Sequence, residues 1–107
     1  MGTLSTHVLD TSAGRAAKGV RIVLERDGTV LGDGVTDADG RIGTIGPDRL
    51  EAGDYTLRFD TGSYFADAGI ESFYPEVVVV FTIADPGQHY HVPVLLNPFG
   101  YGTYRGT

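Results

Sequence analysis

Apolar and polar residues alternate along several short segments of this chain. In Asp54–Asp60 the apolar side chains of Tyr55, Leu57 and Phe59 are separated by polar ones, and Gly19–Glu25 shows the same period of two. Because successive side chains of a strand point to opposite faces, this alternation predicts half-buried strands. The predicted strands are Leu4–Asp10, Gly19–Glu25, Thr29–Thr36, Arg41–Ile45, Asp54–Asp60, Glu76–Ile83 and His89–Leu96.

Glycine and proline mark where these segments end. Turns are predicted at Thr11–Gly14, Asp27-Gly28, Asp37–Gly40 and Asp85–Gly87. Asp27-Gly28 is typical of a two-residue hairpin. Glu76–Ile83 is rich in β-branched residues, which favours a central strand. Asn97-Pro98 is expected to end the last strand and to leave a short tail, Phe99–Thr107.

Only Thr61–Gly69 has a helical pattern, with Thr61 or Ser63 as the N-cap and Gly69 at the end. Seven or eight short strands with one short helix predict an all-β fold, an antiparallel β-sandwich. No repeat or linker interrupts the 107 residues, so we expect residues 1–107 to form a single domain.

The amino-acid composition narrows the range of possible functions. Hydrophobic residues are 41% and charged residues 21%, as in a globular protein, and a net charge of −6 argues against nucleic acid or an anionic membrane as the main partner. The absence of cysteine excludes disulfides, thiolate catalysis and cysteine-based zinc sites. A chain this small has little room for a deep pocket of its own, so a cavity would require self-association.

No targeting signal is visible, so we expect a cytoplasmic protein. Met1–Asp10 has neither a basic flank nor an apolar run, and Val77–Phe81 is too short to span a bilayer. The final Tyr104–Thr107 is not a peroxisomal signal.

Common catalytic motifs are absent from the sequence. There is no G-x-S-x-G elbow, P-loop or dinucleotide fingerprint, and none of the four serines has a histidine at a spacing that suggests a triad. Asp37–Gly40 lacks the other ligands of a calcium loop, so we interpret it as a plain turn. Glu71 and Glu76 lack a predicted cleft between them, which favours solvated or loop-stabilising roles.

Three histidines are the most informative polar residues. His89 and His91 are two apart on a predicted strand and therefore share a face, and His7 shares a face of the first strand with Ser5 and Leu9. Spacing alone leaves three readings open: a metal site, structural or surface histidines, and catalysis without a metal.

Two arginines stand out because of the residues next to them in the sequence. Arg41 follows a glycine turn at the start of a strand, and Arg105 lies in a tail that is rich in aromatic residues. A guanidinium can bind an oxygen-rich substrate with two hydrogen bonds and stabilise an oxyanion. Taken singly, each is better explained as a surface or strand-edge arginine.

Taken together, several motifs resemble one family, the transthyretin-like 5-hydroxyisourate hydrolases. The motifs are Leu4–Asp10 (LSTHVLD), Thr36–Arg41 (TDADGR), Gly53–Tyr55 (GDY), Phe73–Glu76 (FYPE), His89–Leu96 (HYHVPVLL) and Asn97–Thr107 (NPFGYGTYRGT). The order and spacing of these motifs make the combination specific. Three departures are Thr107 in place of the usual serine, Gly14–Ala17 in place of a G-x-P-A turn, and Tyr74 in place of phenylalanine.

The resemblance implies a homotetramer of transthyretin-type sandwiches with active sites in a channel between dimers. It implies hydrolysis of 5-hydroxyisourate to 2-oxo-4-hydroxy-4-carboxy-5-ureidoimidazoline in urate degradation, without a metal or cofactor. The site residues that it implies are His7, Arg41, His91 and the tetrapeptide Tyr104–Thr107. Carriers of the same fold lack these histidines and the tetrapeptide.

From this set we hypothesise that His7 and His91 activate and orient a water molecule while Arg41 stabilises the anionic intermediate. Tyr104, Arg105 and Thr107 are expected to bind the substrate. Which histidine is the base, and whether His89 does more than pack, stays open. Other classes also remain: a carrier of an aromatic ligand, a metal-dependent hydrolase using His7, His89 and His91, and a structural interaction domain.

Overall fold

The computed structural model describes residues 3–107, which form two packed β-sheets and one short helix. The elements are β1 (Leu4–Asp10), β2 (Arg15–Ala16), β3 (Arg21–Arg26), β4 (Thr29–Val35), β5 (Arg41–Ile42), β6 (Gly53–Phe59), α1 (Thr61–Asp67), β7 (Val77–Ile83), β8 (Tyr90–Asn97) and β9 (Gly100–Thr103). The part of the chain described has nine strands where the sequence predicts seven or eight. Six of the predicted strands appear with six or more residues, the one at Arg41 is reduced to the two-residue β5, and β2 and β9 are additional. Within the part of the chain described, no helix is long and apolar enough to cross a membrane.

The first sheet has the order β2-β1-β8-β9, with β5 also pairing with β1, and the second has the order β4-β3-β6-β7. One pairing departs from the predicted antiparallel arrangement. β1 and β8 run parallel, with Leu4 opposite Tyr90 and Asp10 opposite Leu96. The two strands are far apart in sequence and joined by the whole second sheet, so no hairpin forces them to be antiparallel.

Alternation in the sequence becomes alternation in burial. In β1 every second side chain from Leu4 to Asp10 is buried, while Ser5, His7 and Leu9 are half-buried on the other face. The buried residues of both sheets pack together in one apolar core, which includes Val8, Val94, Ile22 and Leu57. The outer face of the first sheet is therefore free to carry polar side chains.

The β3–β4 hairpin turns at Asp27 and Gly28, as predicted. Both residues have positive φ, 52° and 78°. This is the backbone of a type I′ turn, whose twist matches that of the flanking strands.

Three predicted elements differ in the structure. β7 is an edge strand, not a central one, because β-branched residues report packing on a pleated surface and not a position within the sheet. The predicted tail contains β9, which pairs with β8, so the chain turns back at Asn97-Pro98. The strand that begins at Arg41 ends at Ile42, although the Ile45 amide still donates to the Leu4 carbonyl.

The N-cap of the helix lies one residue before Thr61, the nearer of the two predicted caps. Asp60 is the N-cap of α1, and its carboxylate accepts a hydrogen bond from the Ser63 amide at 3.3 Å. A short acidic side chain satisfies a free helical N–H there as well as a hydroxyl would. Gly69, with φ of 71°, follows the C-cap Ala68, close to the predicted end.

Candidate active site

His7 and His91 lie next to each other on the outer face of the first sheet. The parallel register places Ser5 opposite His91 and His7 opposite Pro93, so the two histidines are diagonal neighbours on one face. Their ring centroids are 6.5 Å apart and both side chains are half-buried. Two predicted site residues, 84 positions apart by their numbers, therefore meet because β1 pairs with β8.

Arg41 joins this pair through β5, whose antiparallel register places Arg41 opposite His7. The turn before it is held by Asp37, whose carboxylate accepts hydrogen bonds from the backbone amides of Asp39 at 2.9 Å and Arg41 at 3.0 Å. The Arg41 amide is the main reason that the pKa of Asp37 lies below its ordinary value. Asp37–Gly40 is thus a plain turn, as predicted, and it fixes where Arg41 begins.

Gly40 is required at the end of this turn. Its φ is 74°, and a Cβ atom there would collide with the Val8 carbonyl oxygen. The close approach also allows the Val8 amide to donate to the Gly40 carbonyl at 2.7 Å, which holds the turn against β1. Glycine is the residue that tolerates both the left-handed backbone and the contact.

Burial lowers the pKa of His91 below its ordinary value of 6.5, and the nearby positive charge of Arg41, followed by the other two histidines, lowers it further. His91 is therefore a neutral imidazole at pH 7, with a nitrogen able to accept a proton. No residue in 3–107 makes a hydrogen bond to its Nε2, whereas Nδ1 lies 2.7 Å from the Ser5 hydroxyl oxygen.

Ser5 is a contact that sequence reasoning missed. In the sequence no serine has a histidine at a spacing that suggests a triad, yet Ser5 Oγ lies 2.7 Å from His91 Nδ1 and 2.8 Å from His89 Nε2. His89 Nδ1 in turn lies 2.5 Å from Thr3 Oγ1. The signal in the sequence was the shared period of two in Ser5-x-His7 and His89-x-His91, which becomes informative once the two strands are known to be parallel neighbours.

The C-terminal segment runs beside His91, where Gly106 forms an antiparallel bridge with it. The Gly106 amide donates to the His91 carbonyl at 2.9 Å, and a Cβ atom at Gly106 would collide with His91 Cδ2. Tyr104 and Thr107, on either side of this contact, are exposed. Both residues therefore lie within two positions of the Gly106 contact with His91.

Arg105 is not brought to the histidine pair within this chain. Its guanidinium lies 4.5 Å from the ring centroid of Tyr90, and it donates to Gln88 Oε1 at 2.9 Å. Tyr90 precedes His91 in β8 and points to the opposite face. In this position Arg105 holds the C-terminal segment against the end of β8.

His91 also borders a cavity of about 280 Å³ between β7, β8 and the C-terminal segment, which Tyr104 and Arg105 line as well. His7 and Arg41 do not line it. His7 and His91 are half-buried and Arg41 is exposed, so the face that carries them is accessible to solvent in a single chain.

The metal alternative lacks a ligand set. Across residues 3–107, no three His, Cys, Asp or Glu side chains are grouped so as to hold a metal ion. Both ring nitrogens of His89 already have hydroxyl partners, Thr3 and Ser5, and so offer no free lone pair. Glu76 forms an ion pair with Arg58 at 3.2 Å, which agrees with a loop-stabilising role, and Glu71 is exposed.

Comparison with known proteins gives three findings. Residues 4–106 match the family model described as HIUase/Transthyretin family. The sequence is 46% identical, over 109 residues, to a 5-hydroxyisourate hydrolase of Salmonella dublin, which covers 97% of this chain and 80% of that protein. The structure is similar to that of Klebsiella pneumoniae 5-hydroxyisourate hydrolase, with a TM-score of 0.92 and 47% identity over 98% of this chain and 99% of that one.

A sea bream transthyretin in complex with thyroxine is also similar in structure. Its TM-score is 0.88, and it is 34% identical over 97% of this chain and 94% of that chain. The fold is therefore shared by proteins that are named for catalysis and by one that holds a hormone.

Proposed function

This chain belongs to the HIUase/Transthyretin family, and we propose that it is a hydrolase of that family and not a carrier. It is an enzyme that hydrolyses 5-hydroxyisourate in urate degradation. The observation that carries this assignment is the grouping of His7, Arg41 and His91 on one face of the first sheet. A carrier of an aromatic ligand has no need of a neutral imidazole with a free nitrogen beside a guanidinium.

His91 is the general base in this proposal. Its lowered pKa keeps it neutral, and its Nε2 is free to take a proton. A water oxygen bonds to the ring carbonyl carbon while the water proton passes to His91 Nε2. The C–N bond then breaks, the carbonyl re-forms as a carboxyl group, and the proton returns from His91 to the leaving nitrogen. His7, with its ring 6.5 Å away, orients the water molecule.

Arg41 stabilises the negative charge that develops on the carbonyl oxygen. It lies opposite His7, on the same side of the sheet as the attacking water. A guanidinium is always charged and presents several N–H donors in one plane, which suits an oxyanion flanked by other ring oxygens. The turn held by Asp37 and Gly40 supplies its rigid base.

The C-terminal segment completes the substrate site. Tyr104 and Thr107 flank the Gly106 contact with His91 and are exposed, which supports a role for their hydroxyl groups in binding the polar edge of the substrate. The methyl group of Thr107 leaves its hydroxyl available. Arg105, which the sequence predicts to bind substrate, supports the site by anchoring the segment on Tyr90 and Gln88.

We propose that the working protein is a homotetramer with its active sites between dimers. The histidine face is accessible in a single chain, and Leu95, which lies on the same face of β8 as His91, is 38% exposed. A second copy laid over this face would cover Leu95 and close the site. Light scattering after gel filtration tests the number of subunits. The cytoplasmic location stays a prediction, which cell fractionation tests.

The enzyme hypothesis and the carrier hypothesis make opposite predictions in one assay. Urate and urate oxidase generate 5-hydroxyisourate in the cuvette, and its ultraviolet absorbance is followed with and without this protein. A hydrolase accelerates the decay, with or without a chelator. Decay that is unchanged by the protein, together with saturable thyroxine binding, would instead support a carrier.

A further inference from the structure

A line of hydrogen bonds starts at Nδ1 of His91, the ring nitrogen that does not act as the base. It runs from His91 Nδ1 to Ser5 Oγ at 2.7 Å, from Ser5 Oγ to His89 Nε2 at 2.8 Å, and from His89 Nδ1 to Thr3 Oγ1 at 2.5 Å. Ser5 and His91 lie on the outer face of the first sheet, the face opposite the apolar core. The reaction described so far uses none of Thr3, Ser5 and His89.

The single proton of the Ser5 hydroxyl links the two histidines. Ser5 can donate to only one of the two imidazole nitrogens that face it, so the other must donate to Ser5. When both rings are neutral, two arrangements satisfy every atom. In the first, His91 Nδ1–H donates to Ser5, Ser5 donates to His89 Nε2, and His89 Nδ1–H donates to Thr3. In the second, all three bonds are reversed.

The two arrangements have opposite consequences for catalysis. In the first, Nε2 of His91 carries a lone pair and can accept a proton. In the second, Nε2 carries the proton and the ring is no longer a base. After His91 has taken a proton from water, both of its nitrogens are donors, so only the first arrangement remains satisfied.

We propose that Ser5 and His89 are positioning residues that hold His91 as the Nδ1–H tautomer. In this tautomer Ser5 Oγ accepts a hydrogen bond from His91 Nδ1, and His89 Nε2 accepts one from the Ser5 hydroxyl. The inference rests on the proposed hydrolase function. Ser5 and His89 occupy the place that a carboxylate takes behind the histidine in many hydrolases. A neutral hydroxyl there stabilises the imidazolium less than a carboxylate would, which agrees with a histidine whose pKa stays low.

This arrangement gives His89 a role that its position alone did not reveal. It lies one residue before β8 and is exposed, and both of its ring nitrogens are nevertheless engaged. Without His89 as its acceptor, the Ser5 hydroxyl would be free to turn and donate to His91 Nδ1, which favours the inactive tautomer.

The first test measures the tautomer directly. Nitrogen-15 NMR of the imidazole rings in the wild-type protein at pH 8 should show His91 with a protonated Nδ1 and a bare Nε2. A spectrum in which Nε2 carries the proton would overturn the proposal. The NMR measurement does not depend on turnover, so its result stands even if the protein fails to hydrolyse 5-hydroxyisourate. Such a failure would overturn the proposed function but not the line of hydrogen bonds.

Variants then test the consequence for turnover. Ser5→Ala should lower kcat at least about tenfold, with KM nearly unchanged. This loss is smaller than the ~10²–10⁴-fold that general acid–base catalysis supplies as a whole. Ser5→Thr keeps the hydroxyl, and threonine is well tolerated in a strand, so this variant should retain most of the wild-type kcat. Ser63→Ala removes an exposed serine from α1 and serves as the control.

The pH profile separates positioning from a structural effect. Loss of the Ser5 acceptor destabilises the imidazolium, so the acid limb of kcat/KM in Ser5→Ala should move to lower pH. The charged and titratable groups that act on His91, namely Arg41, His7 and His89, are unchanged in this variant. If Ser5→Ala keeps the wild-type kcat and acid limb, the proposal is wrong. If Ser5→Ala unfolds, the wild-type NMR spectrum decides alone.

Discussion

The backbone amide of Gly106 donates a hydrogen bond of 2.9 Å to the carbonyl of His91, and the Gly106 Cα lies against the edge of the imidazole. This contact fixes the C-terminal segment beside the proposed base. It also makes the site depend on a residue that carries no functional group.

Replacement of Gly106 by alanine should therefore damage the site more than the fold. The new Cβ would collide with His91 Cδ2, so either the segment or the ring must move. We expect kcat/KM to fall at least about tenfold, as small displacements of catalytic groups do. Gly102→Ala is the matched control, because a Cβ there has no neighbour within 4 Å. Equal activity of the two variants would show that the Gly106 contact is not part of the site.

Removal of Tyr104–Thr107 should abolish hydrolysis while leaving the sandwich intact. β9 ends at Thr103, so the deletion spares every strand of the first sheet. Circular dichroism and light scattering should report the wild-type fold and subunit number. A truncated protein with the wild-type rate would remove the segment from the site.

Arg41→Gln should lower kcat about 10²-fold, within the range observed when one oxyanion donor is lost. Arg21→Gln is a suitable control, since Arg21 lies on the second sheet in an exposed ion pair with Asp33. The measurement is the decay of 5-hydroxyisourate at saturating substrate. An effect confined to KM would mean that Arg41 binds the substrate without stabilising the transition state.

The acid limb of the pH profile should lie below pH 6.5, because burial and the charge of Arg41 lower the pKa of His91 and the neutral form is the active one. Activity is thus retained above this pKa and lost as pH falls through it. Arg41→Gln removes a positive charge, which raises the pKa again and should move the limb of the remaining activity to higher pH. The other groups acting on His91, His7 and His89, are unchanged. A limb that does not move would contradict the assignment of His91 as the titrating base.

Local features of the sequence predicted local structure well. The period of two in Asp54–Asp60 and the Asp27-Gly28 turn each appear as expected, since they depend on neighbouring residues only. The Asp60 cap and the glycine-containing strand β9 were missed. Asp60 lies outside the segment with helical character, and β9 forms because β8 offers it an unpaired edge.

The sequence supplied the members of the proposed site but not their arrangement. The resemblance to a family supplied His7, Arg41 and His91, which the structure places on one face. The Ser5–His91 contact joins residues 86 positions apart and depends on the parallel pairing, which no local pattern contains. The direction of Arg105 depends on Tyr90, a side chain on the opposite face of β8.

The central claim is that His91 is the base of a 5-hydroxyisourate hydrolase, and one measurement tests it most directly. Substrate generated from urate by urate oxidase is mixed in a stopped-flow instrument with equal amounts of wild-type protein or His91→Asn, each shown to be folded. The account predicts that the wild-type protein accelerates the decay and that the variant loses at least about 10² of kcat. A variant as fast as the wild type would contradict it.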